Sequence, residues 1–281
     1  MQVIRTISEM QRCIKQKRTE GNEIGFVPTM GYLHEGHLTL LREAKNENDT
    51  VVLSIFVNPT QFGPNEDFDS YPRDFVRDER LAKEAGVDFL FYPTVDEIYP
   101  NEPTIEITVT KRVDVLCGAK RPGHFDGVAT VLTKLFHIVT PDRAYFGMKD
   151  AQQVAVVDAL ISDFHFPITL VPVETIREED GLAKSSRNVY LTTQERSEAS
   201  SIYRSLQKAK QLISEGETDP ERVKQAIEDY LHHHTSGRID YIDIYSYPYL
   251  TKVDHLSGKL IIAVAVVFSK ARLIDNLTFD V

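Results

Sequence analysis

The sequence predicts an α/β protein: a parallel sheet crossed by helices, then a smaller α+β domain. Three observations carry this. Over residues 1–175, apolar runs of strand length alternate with helix-length amphipathic segments, the pattern of parallel strands joined by crossover helices. After residue 176 the order changes to two helices and then three strands. The 281 residues allow one large or two modest domains, and a 42% hydrophobic content is enough for a real core.

Taken in order, residues 23–28 read as a buried strand. Residues 35–46 read as a helix with Leu38, Leu41 and Ala44 on one face. Residues 51–57 are a second buried strand, 75–85 a helix stopped by Gly86, and 88–92 a short strand. Residues 128–139 are helical, 143–146 a strand, 151–162 a helix and 168–173 a strand. Beyond them, 193–211 and 219–231 read as helices, and 239–245, 259–268 and 271–279 as strands. The polar stretch 176–190 marks the junction, a good place for a ligand.

Charge narrows the function. The net charge is −10, from 32 basic and 42 acidic side chains. Residues 1–175 hold 18 basic and 26 acidic groups, and neither part is a basic tail. This argues against nucleic acid or an anionic membrane as partner, but not against a small anionic ligand. No run approaches the roughly 20 apolar residues of a membrane helix, and residues 1–18 lack an apolar leader core. Cys13 and Cys117 have no metal-ligand spacing, so they read as inert thiols of a cytoplasmic chain.

The most informative string is Pro28-Thr-Met-Gly-Tyr-Leu-His-Glu-Gly-His37, just past the first strand. His34 and His37 stand at i and i+3 in the first turn of a helix, where free amides and the dipole favour anions. Gly36 permits close approach to the backbone. Two imidazoles, partly protonated near neutral pH, could donate to phosphate oxygens. A metal site and an incidental helix start are the competing readings. The first lacks ligands, because two histidines are too few and no Cys is near.

His34-Glu35-Gly36-His37 resembles the His-x-Gly-His signature of the nucleotidylyltransferase superfamily. The longer string resembles the pantoate–β-alanine ligase family. So do Phe56-Val-Asn-Pro-Thr-Gln-Phe62, Arg121-Pro-Gly-His-Phe-Asp-Gly127, Phe146-Gly-Met-Lys-Asp150 and Lys184-Ser-Ser-Arg-Asn188, in the family's order. The resemblance covers essentially the whole chain. It implies a Rossmann-like domain over 1–175 and a smaller domain over 176–281 that covers the active site. The implied reaction joins ATP and pantoate as pantoyl adenylate, which β-alanine converts to pantothenate and AMP.

The resemblance also implies roles. Met30, Gly31, Tyr32, Leu33, His34, Glu35, Gly36 and His37 form the first ATP segment, with His34 and His37 stabilising charge at the α-phosphate. Gly147, Met148, Lys149 and Asp150 form the second, Lys149 for phosphate and Asp150 for ribose or a helix cap. The family more often has Glu at Met148, which leaves only a backbone contact there. Lys184, Ser185, Ser186 and Arg187 resemble a mobile phosphate loop, and Ile176 meets adenine through its backbone. Lys149 and Arg187 join the two histidines as catalytic residues.

Gln61, Gln153 and Asn58 are implied for pantoate, where a neutral amide binds without a competing charge. Asn58-Pro59 also reads as a simple turn. Gln61, Arg121 and His124 are implied for β-alanine, the last two in a loop that flaps over the substrates. Asp78 is implied near Mg²⁺, although a surface carboxylate is the plainer reading. The family is commonly dimeric, which implies a homodimer. His232, His233 and His234 splay around a helix end and read as exposed. Two other classes stay open: a nucleotidylyltransferase using CTP or a phosphorylated acceptor, which leaves Gln61 and Gln153 without a task, and a non-catalytic nucleotide-binding module.

Overall fold

The computed structural model describes residues 1–64, 66 and 68–281. The alternating pattern yields a six-stranded parallel sheet. Its order is β1 (Gln2–Ile4), β4 (Phe89–Phe91), β3 (Thr50–Ile55), β2 (Ile24–Thr29), β5 (Arg143–Gly147) and β6 (Thr169–Val173). Successive residues of β3 point to opposite faces, so Val52 enters one apolar layer while Val51 and Leu53 enter the other. Helices α1 (Ile7–Thr19), α5 (His124–Val139) and α6 (Ala151–Asp163) cover the first face, with the short α4 (Val95–Ile98). Helices α2 (Glu35–Glu47) and α3 (Phe75–Glu84) cover the second.

Strand order reverses at β2, with β3 on one side and β5 on the other. Ligand crevices form at such switch points, beyond the carboxyl ends of the strands. Here the crevice has a sequence cause. β2 pairs with β5 only at Gly25–Arg143 and Phe26–Ala144, yet each strand runs three residues further. The Ile24 carbonyl accepts the Asp142 amide, so even-numbered positions of β2 face β5. The next even position after Phe26 is Pro28, which has no N–H to continue the ladder. The strands part there, and the gap opens.

The C-terminal elements are α7 (Thr193–Ala199), α8 (Ser201–Ser214), α9 (Pro220–His234) and an antiparallel sheet of β7 (Arg238–Ser246), β8 (Lys259–Val267) and β9 (Arg272–Asp280). β8 is covered on both faces. Leu260, Ile262, Val264 and Val266 pack with α8 and α9, while Ile261 and Ala263 meet Ala151 and Ala155 of α6. No helix among the described residues is long and apolar enough to cross a membrane.

Three expectations change. β1 and α1 lie where no element was read: three residues are too few for a strand signal, and α1 fully buries only Met10 and Ile14. The helix expected over 193–211 is two, broken at the buried Ser200. The helix expected from residue 128 begins at His124, because Phe125 already packs in the core. His124 is thus a helix residue, not a loop residue.

That early start depends on Gly127. A Cβ there would lie 2.3 Å from the Thr60 carbonyl oxygen, so only glycine lets α5 press against the Pro59–Gln61 turn. Gly127→Ala should destabilise the protein by about 1–3 kcal/mol, the usual range for overpacking, in urea unfolding. An unchanged midpoint would show that the contact is slack.

Candidate active site

The crevice holds a cleft of about 250 Å³ at the carboxyl ends of β2, β5 and β6. β2 delivers the chain to a tight turn and then to the N-terminus of α2. In that turn Gly31 and Tyr32 both have positive φ, 86° and 51°. Glycine takes this shape freely, while a tyrosine must be held in it. The Asp78 carboxylate holds it. Its two oxygens accept the Tyr32 and Leu33 amides, each at 2.7 Å, and the Arg77 guanidinium lies over the Tyr32 ring. Asp78 is 1% exposed, and burial raises its pKa against the pull of the two amides.

The turn sets both histidines. His34 caps α2, its Nδ1 accepting the Gly36 amide at 3.1 Å. His37 Nδ1 accepts the His34 amide at 3.3 Å. Each ring therefore carries its proton on Nε2, as a donor. The rings lie 4.1 Å apart, centre to centre. Burial lowers the His34 pKa to about 4, with the nearby Lys149 charge adding to it. Burial lowers His37 to about 3, helped by His34 and Lys149. The expected partial protonation is therefore corrected: both rings are neutral at pH 7. Gly36 also has a different task, since a Cβ there would stand 2.9 Å from the His34 ring. It makes room for the imidazole.

Cations come from the other walls. Lys149 sits in the turn after β5, 3.8 Å from the Asp150 carboxylate. Asp150 does not cap α6 with its side chain. Lys184 lies beside Glu178 at 3.3 Å, in a loop closed by its amide bonding the Ile176 carbonyl. Ser185 Oγ accepts the Arg187 amide and starts a short turn through Ser186. Gly147, Ile176, Ser185, Ser186 and Arg187 all line the cleft with them.

The remaining wall is amide and hydrocarbon. The Gln61 side chain accepts from Asn58 at 3.2 Å and donates to the Met30 sulfur at 3.1 Å. Gln153 faces the same space. Asn58 is 1% exposed and wholly engaged. It donates to Gln61 and to the Gly127 carbonyl, and accepts from Thr60 and Tyr99. The turn reading of Asn58 thus holds, and its side chain positions Gln61 rather than standing free for a ligand. Phe56, Phe62, Val128, Leu132 and Leu135 make the apolar side. The last three lie on α5, whose other apolar residues pack in the core.

Arg121 and His124 stand at the rim. Arg121 forms a two-pronged ion pair with Glu66, at 2.7 and 2.5 Å, and donates to His124 Nε2. His124 Nδ1 bonds the Gln61 carbonyl at 2.8 Å. Burial, then Arg121, lowers the His124 pKa. Glu66 was not singled out in the sequence, and nothing local marks it.

Several expected ATP contacts lie elsewhere. Leu33 is fully buried in the core, Glu35 pairs with Arg42 on α2, and the Met148 side chain packs toward Tyr247. Gly31, Tyr32 and Asp78 border a neighbouring pocket instead. Asp78, expected near a metal, is the brace of the histidine turn. Among the described residues no three His, Cys, Asp or Glu groups gather as a metal site. His233 and His234 are exposed and bond carbonyls one turn back along α9, as expected of a helix end.

Fold and cleft together define an α/β protein with a ligand crevice at the switch point of its parallel sheet, beside the N-terminus of α2. The comparisons specify it. The family model for pantoate-beta-alanine ligase matches residues 2–278. A pantothenate synthetase of Bacillus cytotoxicus is 64% identical over the full length of both chains. The crystal structure of pantothenate synthetase from Thermus thermophilus matches at TM-score 0.92 and 45% identity, covering 99% of each chain. A pantoate-beta-alanine ligase from Francisella tularensis, complexed with beta-gamma ATP and beta-alanine, matches at TM-score 0.79 and 35% identity over 99% of this chain and 97% of that one. The chain belongs to the pantoate–β-alanine ligase family, and its activity is the ligation for which that family is named.

The histidines give a pH prediction. Their folded pKa values lie below the unfolded value of about 6.5, so neutrality stabilises the fold above that pH. This contribution is lost as pH falls from about 6.5 toward 4 for His34 and toward 3 for His37. In nitrogen-15 NMR both rings should stay neutral Nε2–H tautomers down to about pH 5. A midpoint near 6.5 for either ring would refute the burial argument.

Proposed function

We propose that this cleft makes pantothenate in two displacements. In the first, a pantoate carboxylate oxygen attacks the α-phosphorus of ATP and pyrophosphate leaves. In the second, the β-alanine nitrogen attacks the acyl carbon, AMP leaves, and the amine gives up a proton. One observation carries the reading. Two neutral Nε2–H donors, two lysines and two glutamine amides converge beside an apolar wall at the switch point of the sheet.

His34 and His37 would donate to oxygens of the α-phosphate as charge builds there. Being neutral, they bind without adding charge at rest, so their bonds strengthen chiefly in the transition state. Lys149 would face the phosphates from one side, and Lys184, Ser185, Ser186 and Arg187 from the other. Gln61 and Gln153 would hold pantoate's hydroxyl and carboxylate groups, with its two methyls against Phe62, Val128 and Leu132. Arg121 would receive the β-alanine carboxylate in exchange for Glu66, which leaves the local charge balanced.

Mg²⁺ would enter bound to the nucleotide, because protein often supplies only one or two carboxylates. Among the described residues, Asp150 and Glu174 are the carboxylates that line the cleft. Asp78 would reach the ion only by sharing an oxygen already bonded to the Tyr32 or Leu33 amide. We place the domain boundary after residue 175, and take the protein to act as a cytoplasmic homodimer. Sedimentation at micromolar concentration tests the dimer.

Exchange between pyrophosphate and ATP should require pantoate. No stimulation by pantoate, with no AMP from the full mixture, would sink the reading. His37→Ala should slow exchange by about 100- to 1000-fold, the usual loss for one such donor, with a much smaller change in ATP binding. Equal losses in both would make His37 a ground-state contact. Gln61→Ala should raise the KM for pantoate by about ten- to hundredfold, and an unmoved pantoate KM would remove Gln61 from that site.

A further inference from the structure

Asn276 lies far from every motif in the sequence, on β9 of the C-terminal sheet. Its side chain is 7% exposed. The amide nitrogen donates to two backbone carbonyls, those of Met148 and Lys149, each at 2.9 Å. These belong to the turn Met148–Asp150 that joins β5 to α6. We propose that Asn276 is a positioning residue for the ligation: from the C-terminal sheet it fixes the turn that aims Lys149 into the cleft.

The residue type fits the task. Two carbonyls need two donors from one atom, which a primary amide supplies and a hydroxyl or carboxylate does not. The turn needs an outside hold, since Asp150 places no side-chain cap on α6. A lysine on an unheld turn would sample many positions, and misplacement by about 1 Å can cost on the order of 100-fold in rate.

The adjacent Asp275 makes the same connection to the second phosphate segment. It is 3% exposed and grips the Arg177 guanidinium at 2.6 and 3.0 Å. Arg177 bridges to Ala183, next to Lys184. Arg177 also stacks on Tyr203 of α8, 3.7 Å from the ring centre. One dipeptide of β9 therefore ties down both the Lys149 turn and the Lys184 loop. The C-terminal sheet sets the spacing of the two cationic walls.

The proposal rests on the phosphate role given above to Lys149, and a double-mutant cycle separates the two. Pantoate-dependent exchange is measured for Lys149→Ala, Asn276→Ala and the pair. Asn276→Ala should lose on the order of 100-fold in rate, with the β-alanine KM unmoved. The double variant should be no worse than Lys149→Ala beyond about twofold, the limit within which independent effects are resolved. Losses that multiply would overturn positioning and leave Lys149 in its role. Exchange that survives Lys149→Ala would remove that role and the proposal with it. Asn276→Asp serves the same cycle if the alanine variant does not fold. It keeps the shape but faces the two carbonyls with a carboxylate oxygen, so retained exchange in Asn276→Asp would also overturn the proposal.

Discussion

The whole site depends on two parallel strands that stop pairing. β2 and β5 are bonded through Phe26 and Ala144 and then separate, because Pro28 offers no amide on the side that faces β5. A ladder continued to Thr29 would bring the strand ends together and close the crevice. As it is, β2 carries the histidine turn to one lip and β5 carries Lys149 to the other. The same strands keep full register with β3 and β6 on their outer sides, so the gap is local and the sheet stays rigid around it.

A gap alone does not hold a constellation. The chain leaving β2 must turn sharply, and it does so through two residues of positive φ, one of them a tyrosine. That shape costs energy of order 1 kcal/mol or more, and it persists because the surroundings fix it. Asp78 is that fixture. A carboxylate accepting two amides at 2.7 Å makes charge-assisted bonds, stronger than neutral ones. Thr29 adds a bond to the Gly31 amide. The turn in turn fixes where α2 begins, and that start sets both Nδ1 atoms as acceptors. The order of cause thus runs from a buried acid on α3 to the tautomer of two histidines.

Much of this was legible in the sequence. The strand and helix alternation gave the sheet, because apolar runs and amphipathic periods are local signals. The ordered motifs named the residues that share the cleft, including Lys149, Lys184 and Gln61. What escaped were contacts made across long separations by residues of ordinary type. Asn58 reads as a ligand contact until its four partners are seen. Asp78 reads as a surface acid or a metal ligand, but a carboxylate bonded to two amides 45 and 46 positions away leaves no periodic trace. Asn276 is one asparagine in a strand. The histidine charge differs for a related reason: motif chemistry uses the free imidazole pKa, while burial and a nearby lysine lower it.

That difference bears on how an acidic protein binds a polyanion. With the histidines neutral, the cleft's cationic side chains include Lys149, Lys184 and Arg187. Each belongs to a turn or loop held by atoms other than its own side chain: Lys149 through Asn276, Lys184 through the Ile176 carbonyl, Arg187 through Ser185. The charges are few, and backbone bonds locate them. A fixed pair of neutral donors then adds discrimination, since a neutral N–H gains most when an oxygen's charge increases during reaction. The surplus of carboxylates elsewhere does not oppose this, because exposed charges beyond about 10 Å are largely screened. Placement, more than total charge, decides which anion the cleft can hold and react.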